Sequence, residues 1–247
     1  MNLAWDFDRY NATIYRSSGY LHEVVDIDSK PLESFFNLDR EIEILKRNTE
    51  LFLFCDDGLN VLLWGARGCG KSSLIKSIFN KYQSHGLKIC QILKHDIEKL
   101  PEILDFLRTT QYKIIIFCDD ISFESSSKEY KMLQTILEGS IERFPQNILI
   151  YATTNKKHLS INENSDTYGF SGDDESISLS DRFPIKLSFY SYGSLEFLEL
   201  ISLKLKRDEF ESIKQKALNY AAQVGSKSPR VAMQFLELYK NNLLELI

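Results

Sequence analysis

Gly65-Ala66-Arg67-Gly68-Cys69-Gly70-Lys71-Ser72 fits the pattern G-x-x-x-x-G-K-[ST], and it lies between an apolar run, Val61-Leu62-Leu63-Trp64, and a helical pattern from Ser72 to Tyr82. Its three glycines let the backbone turn tightly and aim N–H groups at phosphate oxygens, while the start of a helix adds its partial positive charge. Lys71 is then expected to meet the β- and γ-phosphates of a nucleoside triphosphate, and Ser72 to ligate Mg²⁺. Gly65, Ala66, Arg67, Gly68, Cys69, Gly70 and Ser73 complete the cradle. A chance glycine-rich turn would lack the strand before it and the helix after it. Cys69, close to a helix N-terminus, reads either as a thiol of lowered pKa or simply as a small residue that fits.

Working outward, strand and helix patterns alternate. Apolar runs at Leu87–Leu93, Lys113–Cys118, Asn147–Ala152 and Ile185–Phe189 read as further strands, with helices at Leu100–Arg108 and Lys128–Arg143. An amphipathic helix over Leu38–Phe54 precedes them, stopped by Asp57-Gly58. The expectation is an α/β class domain with a five-stranded parallel sheet, its ligand at the carboxyl ends of the strands. From Ser194 onward only helices are expected, over Leu195–Leu205 and Asp208–Val224 and from Ser228-Pro229, making a small all-α lid. The expected division is an N-terminal arm at 1–30, a nucleotide-binding domain at 31–190 and the helical lid at 191–247. Residues 1–30, rich in Asp, Tyr and Ser, read as an extended arm or loose edge, and Ser160–Ser178 as a long mobile loop.

A second element carries chemistry. Ile114-Ile115-Ile116-Phe117-Cys118-Asp119-Asp120 is an apolar strand ending in two carboxylates, at a distance that lets it border the same phosphates. Asp119 is expected to hold Mg²⁺, directly or through water, and Asp120 to orient or deprotonate the attacking water. Glu124, four residues on, is a less favoured source of that carboxylate because it lies beyond the strand end. The pair His95-Asp96 closes a strand and reads as local hydrogen bonding or a helix cap rather than acid–base machinery.

Composition narrows the class. The 247 residues are 43% hydrophobic and 26% charged, ordinary values for a globular domain, and no apolar run reaches the ~18 residues of a membrane helix. The first residues show no cationic segment followed by an apolar core, so a cytoplasmic location is expected. Four cysteines spaced 14, 21 and 28 residues apart, with no C-x-x-C and no nearby His pair, argue against a zinc site or a disulfide framework. The net charge of −5 lowers the expectation of non-specific nucleic-acid binding, and no basic and aromatic interleaving indicates it. Six Lys/Arg against twelve Asp/Glu in residues 1–60 concentrate the acidity at one end.

The order of these motifs resembles that of the AAA+ ATPases. The wording of Asn60 to Ser73, Cys118 to Glu124, Tyr151 to Leu159 and Leu179 to Phe183 is similar to a bacterial AAA+ family known only as a domain of unknown function, over about residues 20 to 243. The resemblance implies that Asn155 is the polar sensor that helps position the water. It implies that Arg182, in Ser180-Asp181-Arg182-Phe183, is an arginine finger reaching the γ-phosphate of a neighbouring subunit. It further implies that Arg230, in Ser228-Pro229-Arg230, is the lid residue that senses nucleotide in cis, and that the segment around Phe36 to Leu38 packs beside the adenine. Plainer readings exist for each: a turn Asn after a strand, a surface Arg paired with Asp181, a solvated Arg at a helix start. One departure is that the acidic pair is Asp-Asp, as in the replication-initiator and helicase-loader branch, which leaves Asp120 a methylene short of the usual base and predicts slow hydrolysis.

The expected function is therefore Mg²⁺-dependent ATP hydrolysis at an interface between subunits, in a homo-oligomer or with an AAA+ partner subunit, used to remodel or load a protein client. A GTPase is disfavoured because His158 in Asn155-Lys156-Lys157-His158 cannot accept the guanine pair as an Asp would. A small-molecule kinase is disfavoured because residues 155–178 contain no Arg for a lid. A slow or non-hydrolysing binding switch is the alternative from another class.

Overall fold

A computed structural model describes residues 3–122, 127–138, 141–155 and 182–244. Glu124, Lys156, Lys157, His158, Asp181 and the segment 160–178 lie outside the described residues. Two compact units are present: one built from the chain up to Gly65 and from Ser72 to Ser188, the other from Ala66–Lys71 together with the chain from Phe189 onward.

The first unit is organised by a sheet. Its strands are β1 (Ala12–Arg16), β2 (Tyr20–Val24), β3 (Val61–Gly65), β4 (Leu87–Leu93), β5 (Lys113–Asp119), β6 (Ile148–Thr154) and β7 (Ile185–Phe189), in the spatial order β2-β1-β4-β5-β6-β3-β7. Strands β4, β5, β6 and β3 pair in parallel. Continuous apolar runs such as Ile114–Phe117 suit strands covered on both faces. On one face Ile92, Ile114, Ile116, Ile148 and Ile150 pack with Leu104 and Leu107 of α3 (Leu100–Leu107) and Tyr130 and Leu133 of α4 (Lys128–Glu138). On the other, the Tyr151 hydroxyl is buried against α1 (Asp39–Cys55), where Asn48 Nδ2 donates to it at 3.0 Å and Thr49 Oγ1 lies 2.9 Å away.

The five strands read from the sequence all occur, but the sheet has seven. Residues 12–24 form a hairpin, not a loose arm: β1 pairs antiparallel with β2 and parallel with β4. Gly19, at φ +92°, closes its turn. Asp96 fastens the hairpin instead of capping a helix, since its buried carboxylate accepts from Ser17 Oγ at 3.1 Å and meets His95 at 3.2 Å. The segment before the hairpin is anchored too. Phe7 stacks between Trp5 and Tyr112, and the buried Lys88 ammonium donates to the Phe7 carbonyl and to Asn11 Oδ1. Helix α4 also ends earlier than expected, at Glu138; Gly139 and Ser140 lie outside the described residues, and 141–144 are not helical.

The second unit contains α5 (Ser194–Ser202), α6 (Arg207–Val224) and α7 (Pro229–Lys240), each within two residues of its expected start. All three helices contact one another, burying Phe197, Ile201, Ala217, Ala221, Val231 and Phe235. Gly225, at φ +70°, ends α6. Pro229 opens α7 at a position with no intrahelical bond to lose, and Ser228 Oγ accepts from Val231 N at 3.4 Å. No described helix is long and apolar enough to cross a membrane.

Candidate functional site

In the first unit the chemistry gathers where β5 and β6 end. Parallel pairing in register carries Cys118 alongside Ala152, so Asp119 and Asp120 arrive beside Thr153 and Asn155. Asp119 Oδ1 accepts two hydroxyl hydrogens, from Ser72 Oγ and from Thr153 Oγ1, each at 2.6 Å. Ser72 belongs to the first turn of α2 (Lys71–Tyr82), the helix that follows β3 through the glycine loop. The Asp120 N–H donates to Thr153 Oγ1 at 2.9 Å, and the Ile121 N–H to the Thr153 carbonyl at 2.8 Å. At φ +54°, Asp120 leaves the strand in the left-handed region, which Asp tolerates better than most residues. Its carboxylate is exposed and accepts a hydrogen bond from Asn155 Nδ2.

The structure thus brings Ser72, Asp119, Asp120 and Asn155 together. Thr153, 2% exposed, is the residue the sequence reading missed. Its one hydroxyl donates to Asp119 and accepts from Asp120, tying both acids to β6. The signal was present as a polar residue inside a buried strand, where an unpaired hydroxyl is costly. We expect Thr153→Val to leave the Asp120 N–H and one Asp119 acceptor unpaired, lowering stability by about 1–3 kcal/mol and slowing any turnover. Urea unfolding alongside a turnover assay checks this; an unchanged midpoint with normal turnover contradicts the bridging role.

In the second unit the glycine loop keeps positive φ at Gly68 (+76°) and Gly70 (+98°), values that side chains rarely adopt. Lys71, 5% exposed, turns its Nζ onto the Ala66 carbonyl at 2.7 Å. The Arg230 N–H, in the first turn of α7, donates to the Gly68 carbonyl at 3.2 Å. A Cβ on Gly68 would stand 2.7 Å from Ser228 Oγ and 3.1 Å from Arg230 Cβ. Arg67 and the Arg230 side chain are exposed. Cys69 is buried and burial pushes its thiol up, outweighing the nearby Lys71 and Arg230 charges; it is the small residue that fits, not a reactive thiolate.

Arg182 lies elsewhere in the first unit. It precedes β7 and is exposed, and its carbonyl accepts from Asn60 Nδ2 at 3.4 Å, at the start of β3. The acids stand at the opposite ends of the parallel strands. Seven residues of β6 separate the two levels, roughly 20 Å at the rise of a strand, far beyond an arginine side chain.

The donor set suits a hard, oxygen-seeking cation. Magnesium is commonly held by one or two carboxylates plus substrate phosphates, and Asp119 with the Ser72 hydroxyl offers such a partial shell. No group of three His, Cys, Asp or Glu side chains that would hold a metal alone occurs among the described residues.

Residues 8–243 match the family described as a protein of unknown function, DUF815. The chain belongs to the DUF815 family. No protein of curated function matches this DUF815 chain in sequence. Among solved structures, it is similar to the Orc1 protein of Aeropyrum pernix in complex with DNA, at 16% identity and a TM-score of 0.57, covering 82% of this chain and 59% of that one. It is also similar to a DNA replication initiation factor, at 18% identity and a TM-score of 0.55, covering 87% and 65%. It therefore spans less than two thirds of either. At such identities the likeness speaks for the fold alone, a largely parallel α/β sheet flanked by helices.

Proposed function

We propose that this DUF815 chain binds Mg·ATP on the loop Gly65–Ser72 and hydrolyses it at an interface between subunits, using the cycle to remodel or load a protein client. The observation that carries this is the cluster at the ends of β5 and β6, with Ser72 and Thr153 on Asp119 and Asn155 on Asp120. Ser72 and Asp119 are the residues that would hold Mg²⁺, whose chemistry there would be charge compensation for the phosphate oxygens. Lys71 would turn from the Ala66 carbonyl to the β- and γ-phosphates. The Asp120 carboxylate, steadied by Asn155, would orient the water for in-line attack. Arg182, too far from its own chain's acids, would serve a neighbour's nucleotide. Arg230, tied to the loop through its backbone N–H, would report phosphate occupancy to α7.

Two features of Asp120 favour slow turnover: its short side chain, and an oxygen already engaged by Asn155. That keeps in play a second reading, a switch whose partner affinity follows nucleotide occupancy. The test is the hydrolysis rate per subunit against protein concentration, with light scattering on the same samples. The proposal expects the rate to rise as subunits assemble. A rate independent of concentration, or tight ATP binding with no turnover, supports the switch instead.

A further inference from the structure

At the ends of the strands opposite the acids, β3, β6 and β7 begin around a cavity of about 370 Å³. Asn60, Gln146 and Phe52 line it, and so do two arginines, Arg182 and Arg143. Both are exposed. Arg143 comes from a different segment, between α4 and β6, and no motif pointed to it. The other charges there are satisfied: Asp56, also in the lining, pairs with Lys113, and the neighbouring Glu142 pairs with Arg108. Neither Arg143 nor Arg182 has an ion-pair partner among the described residues. Asn60 fixes this edge, since its Oδ1 accepts from Ile150 N at 2.9 Å while its Nδ2 holds the Arg182 carbonyl.

Two guanidiniums without ion-pair partners among the described residues, on one cavity and drawn from separate segments, suit a polyanion better than a single carboxylate. Planar N–H forks bind phosphate oxygens in pairs, and a triphosphate offers enough oxygens for two such forks. We infer that Arg143 is a second trans-acting residue, and that this cavity is the face on which a second copy of the chain presents its bound nucleotide. The inference rests on the proposed function and deepens it by naming the surface and the residue beside Arg182. Because each copy would offer its acids at one end of the sheet and its arginines at the other, the contact is head-to-tail and generates a ring or an open helix.

The test uses full-length Arg143→Ala and Arg143→Lys, with Arg182→Ala and Lys71→Ala for comparison. Fluorescent-ATP binding and hydrolysis are measured on each alone and on 1:1 mixtures with Lys71→Ala. The Arg143→Ala protein should bind ATP within about twofold of wild type and hydrolyse it roughly 10²-fold more slowly, the loss expected for a charge-stabilising donor. Arg143→Lys, which keeps the charge but not the fork, should be intermediate and guards against misfolding. Mixing with Lys71→Ala should restore hydrolysis at least tenfold, because that subunit supplies Arg143 to its neighbour's intact loop. Near-normal hydrolysis by Arg143→Ala beside an inactive Arg182→Ala overturns the inference and leaves the proposed function standing. Loss without recovery in the mixture overturns it too, by showing an effect within one chain. A wild-type protein that never turns over ATP at any concentration removes the proposed function itself.

Discussion

Lys71→Ala should abolish nucleotide binding, with affinity for Mg·ATP falling by a factor of about 100 or more. The size follows from the two contacts proposed for its ammonium, each a charge-assisted hydrogen bond worth about 1.5–3 kcal/mol, where 1.4 kcal/mol is tenfold in affinity. The position is buried at the first turn of α2. One cost falls on the protein without ligand, because the Ala66 carbonyl loses the Nζ donor that now sits 2.7 Å away. A thermal melt run beside a fluorescent-ATP titration separates the two effects. A dissociation constant within threefold of wild type would show that the loop holds no triphosphate.

For Arg182→Ala the expected pattern is the reverse: binding intact, and hydrolysis reduced by roughly 10³-fold, the lower end of what an arginine finger contributes. The side chain is exposed and without an ion-pair partner among the described residues, and Asn60 holds its carbonyl rather than its guanidinium. Truncation therefore leaves the fold in place. Single-turnover hydrolysis at saturating ATP, with binding measured on the same preparation, gives the comparison. Equal loss of binding in the Lys71 and Arg182 variants would contradict a role in trans, since only a residue serving its own chain's nucleotide weakens binding that way.

Most of the fold was legible because its signals are local. Apolar runs such as Ile114–Phe117 cannot remain exposed, and the glycine loop announces a strand before it and a helix after it. The hairpin escaped because its apolar positions are diluted by Asn11, Arg16, Ser17, Ser18 and Glu23. Its stability comes from long-range contacts, β1 with β4 and Ser17 with Asp96, that no short window contains. Yet Ala12–Arg16 and Tyr20–Val24 around Ser17-Ser18-Gly19 carried a hairpin signal in their β-branched and aromatic content. In the site, Asp119 and Asp120 were readable from a strand end and Asn155 came from the family resemblance, whereas Thr153 required the register between β5 and β6. Arg143 was hidden for a similar reason: the sequence pattern ran helix α4 through it, and only the early end at Glu138 leaves it beside the start of β6.

In the pattern G-x-x-x-x-G-K-[ST] the position of Gly68 is a wildcard, open to any residue that the nucleotide tolerates. Here the occupant is dictated from the other side. Its positive φ, its carbonyl engaged by the first turn of α7, and the 2.7 Å left between a would-be Cβ and Ser228 Oγ all exclude a side chain before any ligand is considered. A residue engineered there for phosphate contact would therefore be rejected by helix α7, and a larger side chain at 68 could be accommodated only with a compensating change at Ser228 or Arg230. The freedom of that wildcard is set by helix packing rather than by nucleotide chemistry.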